Sequence, residues 1–278
     1  MSGLPLLWLS ELMKQFFFAL GASFAVLSAS AWSQKGHDAI AYIAECHLSQ
    51  AAADSVAYVL DGKSPVYWAN WLDNASHTPP YSYTKTWHYK NIEEGVPYEE
   101  AALNPAGDAV TAIREQIAIL SDPISTKGQK ELAMKILVHV VGDLHQPMHM
   151  GRQSDLGGNR RKVRFFDRDT NLHSIWDGSL MNSGHSWSYS EWQQQLDRLT
   201  PEEELVLTEG NVDDWAKQTY EIAGRVYDYF PEGAKVSYNE IAAWTPVIEE
   251  QILKGGLRLA RILNAIYDPA NAENPAEF

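Results

Sequence analysis

Along most of the chain apolar residues recur at a three-to-four spacing, the period of a helix that buries one face. Between Gly36 and about Leu60, Ile40, Ile43 and Ala44 and then Ala52, Val56 and Val59 mark two such segments, with Ser49 as a cap between them. Ser64-Pro65 reads as a helix start, leading VYWANWLDNAS. The proline-bearing stretch from His77 to Lys85 predicts a loop, and Trp87 to Ile92 (WHYKNI) alternates as an extended segment. Asp108 to Leu120 is amphipathic, and Lys130 to Leu144 is a more apolar helix. Gly157-Gly158-Asn159 predicts a turn, and RRKVRFF followed by FDRDTNLH predicts a short hairpin. Further helices are expected at Asn171 to Met181, Ser190 to Leu199, Val212 to Tyr229 and Tyr238 to Tyr267. Neither repeats nor a linker-like shift interrupts the pattern, so the chain reads as all-α: one mostly helical domain with a short β-hairpin, over residues 32–278.

The first residues break this pattern. Met13 and Lys14 precede an apolar run, FFFALGASFAVLSAS, that ends in Ala29-Ser30-Ala31, the small-x-small pattern of a signal-peptidase site. Residues 1–31 are therefore expected to be a signal peptide starting at Met13, with the mature chain beginning at Trp32 and the protein secreted or periplasmic. The run is short for a membrane span and lacks a second anchor. Cys46 is the sole cysteine, so no internal disulfide is available, and its apolar neighbours suggest a packing role.

A hydrophobic content of 45% suffices for a buried core. The net charge of −14 excludes a protein that grips nucleic acid through a broad basic surface. A polyanionic substrate would need metal ions to meet it.

Candidate metal donors are dense. HVVGDLHQPMH, residues 139–149, holds His139 and Asp143 four apart, which a helix places on one face. Pro147 cannot continue that helix, so His145 and His149 fall at its end and beyond it. His173 and Asp177 repeat the same spacing on their own predicted helix, and inward-facing donor pairs on separate helices are how bundle metal sites are built. Mixed nitrogen and carboxylate donors suit zinc better than magnesium or calcium. His37, Asp73 and His88 are further donors in suggestive positions.

Trp32 with His37, WLD at Asp73, WH at His88, HVVGDLHQPMH, the GGN turn, NLHSIWD and the closing EEQILKGGLRLARILN together resemble the S1/P1 nucleases, zinc-dependent enzymes specific for single-stranded nucleic acid. The resemblance covers nearly the whole chain from Trp32, and the single cysteine and short signal suggest a bacterial member. It implies a fold of the phospholipase C and S1/P1 nuclease type and three zinc ions. One would take Asp73, His88, His139 and Asp143; a second His149, His173 and Asp177; a third His37, bridging Asp143, and the amino nitrogen and carbonyl oxygen of Trp32. The last ligand requires cleavage before Trp32. The resemblance further implies a zinc-bridging hydroxide held by Asp73 and Asp143 as nucleophile. The activity implied is hydrolysis of single-stranded DNA and RNA to 5′-phosphorylated products, with 3′-nucleotidase activity.

Tyr89 stands beside His88 where the family carries an aromatic ring that stacks on a base, a contact open only to unpaired nucleotides. Asn91 occupies a place where fungal members have an aspartate that contacts water and base, and Ser76 a place where they have an arginine; both put rate and base preference in question. Arg160, Arg161, Lys162 and Arg164 form a basic run that reads as a solvated strand edge, with phosphate contact as the other role considered. His145 is expected to point away from His139 and to pack, and His47, His77 and His185 have no partner at ligand spacing. Asn74-Ala75-Ser76 matches a glycosylation sequon but adjoins Asp73, and no glycan is expected there. The alternatives are a zinc phospholipase C, which shares the fold and a similar cluster, and a non-catalytic zinc-binding protein.

Overall fold

The computed structural model describes residues 32–278; the expected signal peptide lies outside the described residues. The alternation of helix-period segments and caps resolves into α1 (Gln34–Cys46), α2 (Gln50–Val59), α3 (Pro65–Trp68), α4 (Trp71–Ala75), α5 (Ala109–Ser121) and α6 (Lys127–Leu144). Then come β1 (Lys162–Phe165), β2 (Arg168–Asn171), α7 (Leu172–Ser174), α8 (Leu180–Gly184), α9 (Tyr189–Leu196), α10 (Pro201–Thr208), α11 (Val212–Tyr229), β3 (Ala234–Val236) and α12 (Tyr238–Tyr267). The protein is mostly helical with one small sheet, as the periodicity predicts. No helix among the described residues is long and apolar enough to cross a membrane.

Local chemistry explains most boundaries. Ser49 accepts a hydrogen bond from Ala52 N–H and starts α2, and Ser64 accepts from Val66 N–H ahead of Pro65. Asp108 and Thr111 form a capping box on α5. α6 begins at Lys127, earlier than predicted, because Thr126 and Gln129 cap each other's backbone. α9 starts at Tyr189 behind the Ser188–Glu191 box and ends at Leu196. α10 was not expected: Thr200, Pro201 and Glu203 supply its start, but its apolar residues are consecutive, and Leu205 and Val206 are both 71% exposed. The predicted loop at 77–85 contains a 3₁₀ turn, Pro79–Thr84.

The core is built around α6 and α12, which α1 and α5 pack against. α12 passes α1 so closely that a Cβ on Gly256 would stand 2.4 Å from Ile43 Cβ. β1 pairs antiparallel with β2, Val163 opposite Thr170, as the hairpin predicts, and also pairs parallel with β3. β3 was missed because three residues show no period. Arg161 donates to Tyr227 and Phe230 carbonyls, and Arg164 lies against Asp167 and Asp169, so these two members of the basic run are tied to the protein itself.

Cys46 corrects an expectation. It is exposed on the last turn of α1 instead of packed, because that face of the helix has left the core where the chain turns at His47.

Candidate metal centre

Each donor is placed by a different local device. His139 and Asp143 lie one turn apart on the buried end of α6. Asp73 comes from α4, and His88 from the turn after Pro79–Thr84. Pro147 ends the helical path and opens a 3₁₀ turn, Pro147–Met150, which carries His149 back toward α6. Of the segment predicted as extended at WHYKNI, Trp87 and His88 belong to the turn and the rest runs beside it, Lys90 and Ile92 N–H donating to the His149 and Gly151 carbonyls. Asn171 caps α7, which carries His173, and a π-helical turn, Ile175–Ser179, carries Asp177. The one regular helix predicted from Asn171 to Met181 is thus three pieces, and a π turn is a frequent feature of functional sites.

Five groups converge around Asp143. His139 Nε2 lies 3.2 Å from Asp143 Oδ2 and 3.4 Å from Asp73 Oδ1, and His88 Nδ1 lies 2.9 Å from the same Asp143 oxygen. His88 Nδ1 and His139 Nε2 are 3.1 Å apart. These separations match the edges of a coordination polyhedron with zinc–ligand distances of about 2.0–2.2 Å. His37 Nε2 stands 3.4 Å from the other Asp143 oxygen, its ring stacked 4.1 Å from His139. A second group lies alongside: His173 Nε2 is 3.5 Å and His149 Nε2 4.0 Å from Asp177 Oδ1. The two are joined where His149 Nδ1 lies 3.6 Å from Asp143 Oδ1.

The rings are held in one tautomer by the main chain. His139 Nδ1 donates to the Ala69 carbonyl at 2.7 Å, His149 Nδ1 to the His88 carbonyl at 2.5 Å and His173 Nδ1 to the Gly157 carbonyl at 2.7 Å. This turns each Nε2 toward the site. Nε2 of His37, His149 and His173 and Oδ1 of Asp143 are buried and make no hydrogen bond. An unsatisfied buried polar atom costs about 1–3 kcal/mol, so such a concentration marks groups able to hold cations. Three groupings, His37–His139–Asp143, Asp73–His88–His139 and His149–His173–Asp177, each bring their donor atoms within 4.8 Å of one another.

Electrostatics without metal reinforces this reading. Burial resists charge on His37, Asp73, His139, Asp143, His149, His173 and Asp177. At His139 the neighbouring Asp143 and Asp73 overcome burial and hold the imidazole proton well above its usual range. Asp143 is held well below the carboxylate range, because His139 and His149 outweigh its burial. Asp73, also pushed up by burial, is drawn down to about 2 mainly by His139. Burial lowers His37 and His149 and takes His173 to about 3, keeping these rings neutral. Asp177 is raised well above its ordinary value by burial, which the hydrogen bond from Gln146 opposes. In the second group, two neutral imidazoles and a reluctant carboxylate form a site poised for a cation.

Trp32 is fully buried, and Ser33 N–H donates to the Asp177 carbonyl at 2.5 Å, so the beginning of the described chain is fastened next to the second group. Tyr89 is half-buried, and its carbonyl accepts from Ala109 N–H. Asn91 Oδ1 is buried without a partner, near Gly157 and the His173 ring. Ser76 is buried and donates to the Asp73 carbonyl. His145 points away, as expected: its Nδ1 donates to the Val141 carbonyl and its Nε2 accepts from Arg258 at 3.0 Å.

The roles of three contributors were not read from the sequence. Gln146 donates to Asp177 Oδ1 at 2.6 Å and accepts from Met148 N–H, although its place between His145 and Pro147 was a signal. Gly142 admits the His37 ring, which a Cβ would approach to 2.7 Å. Gly157, at φ 64°, would place a Cβ 2.4 Å from the Met148 carbonyl, so the GGN turn both needs the left-handed region and makes room for His173. A cavity of about 740 Å³ between α10 and α12 shares no residue with this centre.

Comparison with known proteins agrees with this geometry. The family description S1/P1 Nuclease matches residues 32–268. Nuclease S1 of Aspergillus oryzae is 27% identical over 84% of this chain and 91% of its own length. Endonuclease 3 of Arabidopsis thaliana is 27% identical over 87% and 91%. Nuclease P1 of Penicillium citrinum is 26% identical over 85% and 98%. A nuclease hydrolysing phosphoester bonds of nucleic acid, with His and Asp clusters able to hold metal ions, is what fold, site and relatives have in common, and the chain belongs to the S1/P1 nuclease family.

Proposed function

We propose that this protein is a trinuclear zinc phosphodiesterase that cleaves single-stranded DNA and RNA to 5′-phosphorylated products and removes phosphate from 3′-nucleotides. The observation that carries this reading is the set of buried, unpartnered donor atoms grouped around Asp143. Asp73, His88, His139 and Asp143 would hold one zinc, and His149, His173 and Asp177 a second. His37 and Asp143 would hold the third, with the amine and carbonyl of Trp32 freed by removal of residues 1–31. The family match starting at residue 32 supports that cut, and with it a secreted or periplasmic protein.

Zinc bound here supplies Lewis acidity toward phosphate and an activated water at neutral pH. The protein's own groups do the rest. Asp143 and Asp73 would orient the centre and balance its charge; Gln146 fixes Asp177 Oδ1, the oxygen that faces His173 and His149. Tyr89, half-exposed beside His88, offers its ring to an unpaired base, and Asn91 Oδ1 offers an acceptor near His173. A duplex cannot present a base face in this way.

Metal analysis of the mature protein should give close to three zincs per chain; saturation at one would refute the trinuclear centre. Zinc-loaded protein should act on single-stranded DNA, RNA and 3′-mononucleotides, and full zinc occupancy without activity on any of them would leave a metal-binding protein. Adding one residue ahead of Trp32 should impair activity, and undiminished activity would remove the Trp32 amine from the centre.

A further inference from the structure

Between residues 63 and 87 the surface carries rings and cations that the proposed reaction does not use. From α3, Tyr67 meets Trp68 edge to face with ring centres 4.8 Å apart, and Trp68 meets Trp71 of α4 at 6.5 Å. Trp71 in turn meets Tyr81 of the 3₁₀ turn at 4.9 Å. On the same turn Tyr83 packs on Trp87 at 5.2 Å. Both arms lead to the metal centre: Trp71 is two residues before Asp73, and Trp87 adjoins His88. Tyr67 is 63% and Tyr83 50% exposed.

Cations are interleaved with the rings. Lys63 Nζ lies 5.0 Å from the centre of Tyr67, and Lys135 Nζ 3.5 Å from that of Trp68. Lys63 and Lys85 are exposed and form no ion pair among the described residues. Of the nearby carboxylates, Asp61 is paired with Lys127 and Glu131 with Lys135, while Glu45 accepts from the Ser64 hydroxyl and keeps its charge. Lys63 and Lys85 thus present two unpaired ammonium groups beside the rings on a chain of net charge −14.

Exposed rings alternating with unpaired lysines are the physical requirement for holding single-stranded nucleic acid, bases on ring faces and phosphates on ammonium groups. We propose that this strip binds the nucleotides flanking the scissile phosphate of a single-stranded substrate. It extends the site from one nucleotide at the metals to a longer tract. This deepens the phosphodiesterase reading and rests on it for the placement of the scissile phosphate.

The test uses zinc-loaded mature protein and variants Tyr67→Ser, Tyr83→Ser and the double Lys63→Gln, Lys85→Gln, all altered at exposed positions. Binding of a labelled phosphorothioate oligothymidine of twenty nucleotides is followed by fluorescence anisotropy, beside cleavage of the same sequence with normal linkages and hydrolysis of a 3′-mononucleotide. Each tyrosine variant should lose about fivefold or more in oligonucleotide affinity, the low end of a stacked base's contribution. The lysine pair should flatten the salt dependence by about 0.7 log units per log unit of salt for each charge removed. Zinc content and mononucleotide turnover should not change. Wild-type cleavage with unchanged oligonucleotide affinity in all variants would overturn the strip and leave the enzyme reading standing. Binding that depends on the strip, with no cleavage, would sustain the strip and refute the enzyme reading. A dimer by sedimentation that the tyrosine variants abolish, with oligonucleotide affinity unaltered, would assign the strip to self-association and overturn the proposal.

Discussion

At the scale of single residues the site depends as much on small residues as on ligands. Gly142 lets the His37 ring lie against α6, where a Cβ would come within 2.7 Å of Nδ1. Gly142→Ala should therefore displace His37 and lower the zinc content by about one ion per chain while the helical circular dichroism is kept; three zincs in the variant would show that the ring can be accommodated elsewhere. His145 makes a separate prediction. It is fully buried, and burial together with the Arg258 charge pushes its imidazole well below the ordinary value of 6.5. A depressed histidine stays neutral when folded, whereas the unfolded chain takes up a proton below about pH 6.5, so its contribution to stability is lost as pH falls through that value. His145→Gln keeps an acceptor for Arg258 but cannot titrate. The stability advantage of the wild type over this variant should shrink by about 1.4 kcal/mol per pH unit below pH 6.5, measured by urea unfolding of the zinc-loaded proteins. A constant difference would show that His145 does not carry the proton linkage.

At the scale of elements, the crossing of α1 and α12 sets the depth at which His37 is presented. Gly256 lies under Ile43 at a separation no Cβ tolerates, so Gly256→Ala forces the helices apart. Overpacking of this kind costs about 1–3 kcal/mol, and for a chain of this size each kcal/mol shifts the melting temperature by about 2–4 °C. A melting temperature within a degree of the wild type would mean the crossing can relax.

Helices with a single apolar face were legible in the sequence because burial imposes their period, and so were the pairs His139–Asp143 and His173–Asp177. The π turn that carries Asp177 was not, since the four-residue spacing looks the same in both geometries. Nor were α10, whose Leu205 and Val206 face outward, or β3, whose pairing with β1 joins segments far apart in sequence. Cys46 misled for a related reason: apolar neighbours on a helix do not fix the side of the one residue between them. Side-chain partners such as Gln146 emerge only when the turn at Pro147 brings them beside Asp177.

At the scale of the whole molecule, the proposed ligands come from segments spread between residues 32 and 177, so metal binding and folding are one equilibrium. Each zinc held at about a hundredfold excess over its dissociation constant adds about 2.7 kcal/mol to stability. Chelation should therefore lower the melting temperature by about 5–10 °C for each ion removed, and calorimetry should show the drop reversed by zinc alone. An unchanged melting temperature after complete removal of metal would mean that the core of α1, α6 and α12 stands without it.

The hydrogen bonds from His139, His149 and His173 have one further consequence. All three rings are aimed by carbonyl oxygens of Ala69, His88 and Gly157, and a carbonyl is an atom that every amino acid brings. Aim is thereby inherited through the path of the backbone, independent of the side chain displayed at residue 69. Lineages can drift widely in sequence around such a centre and still point their imidazoles at the same place.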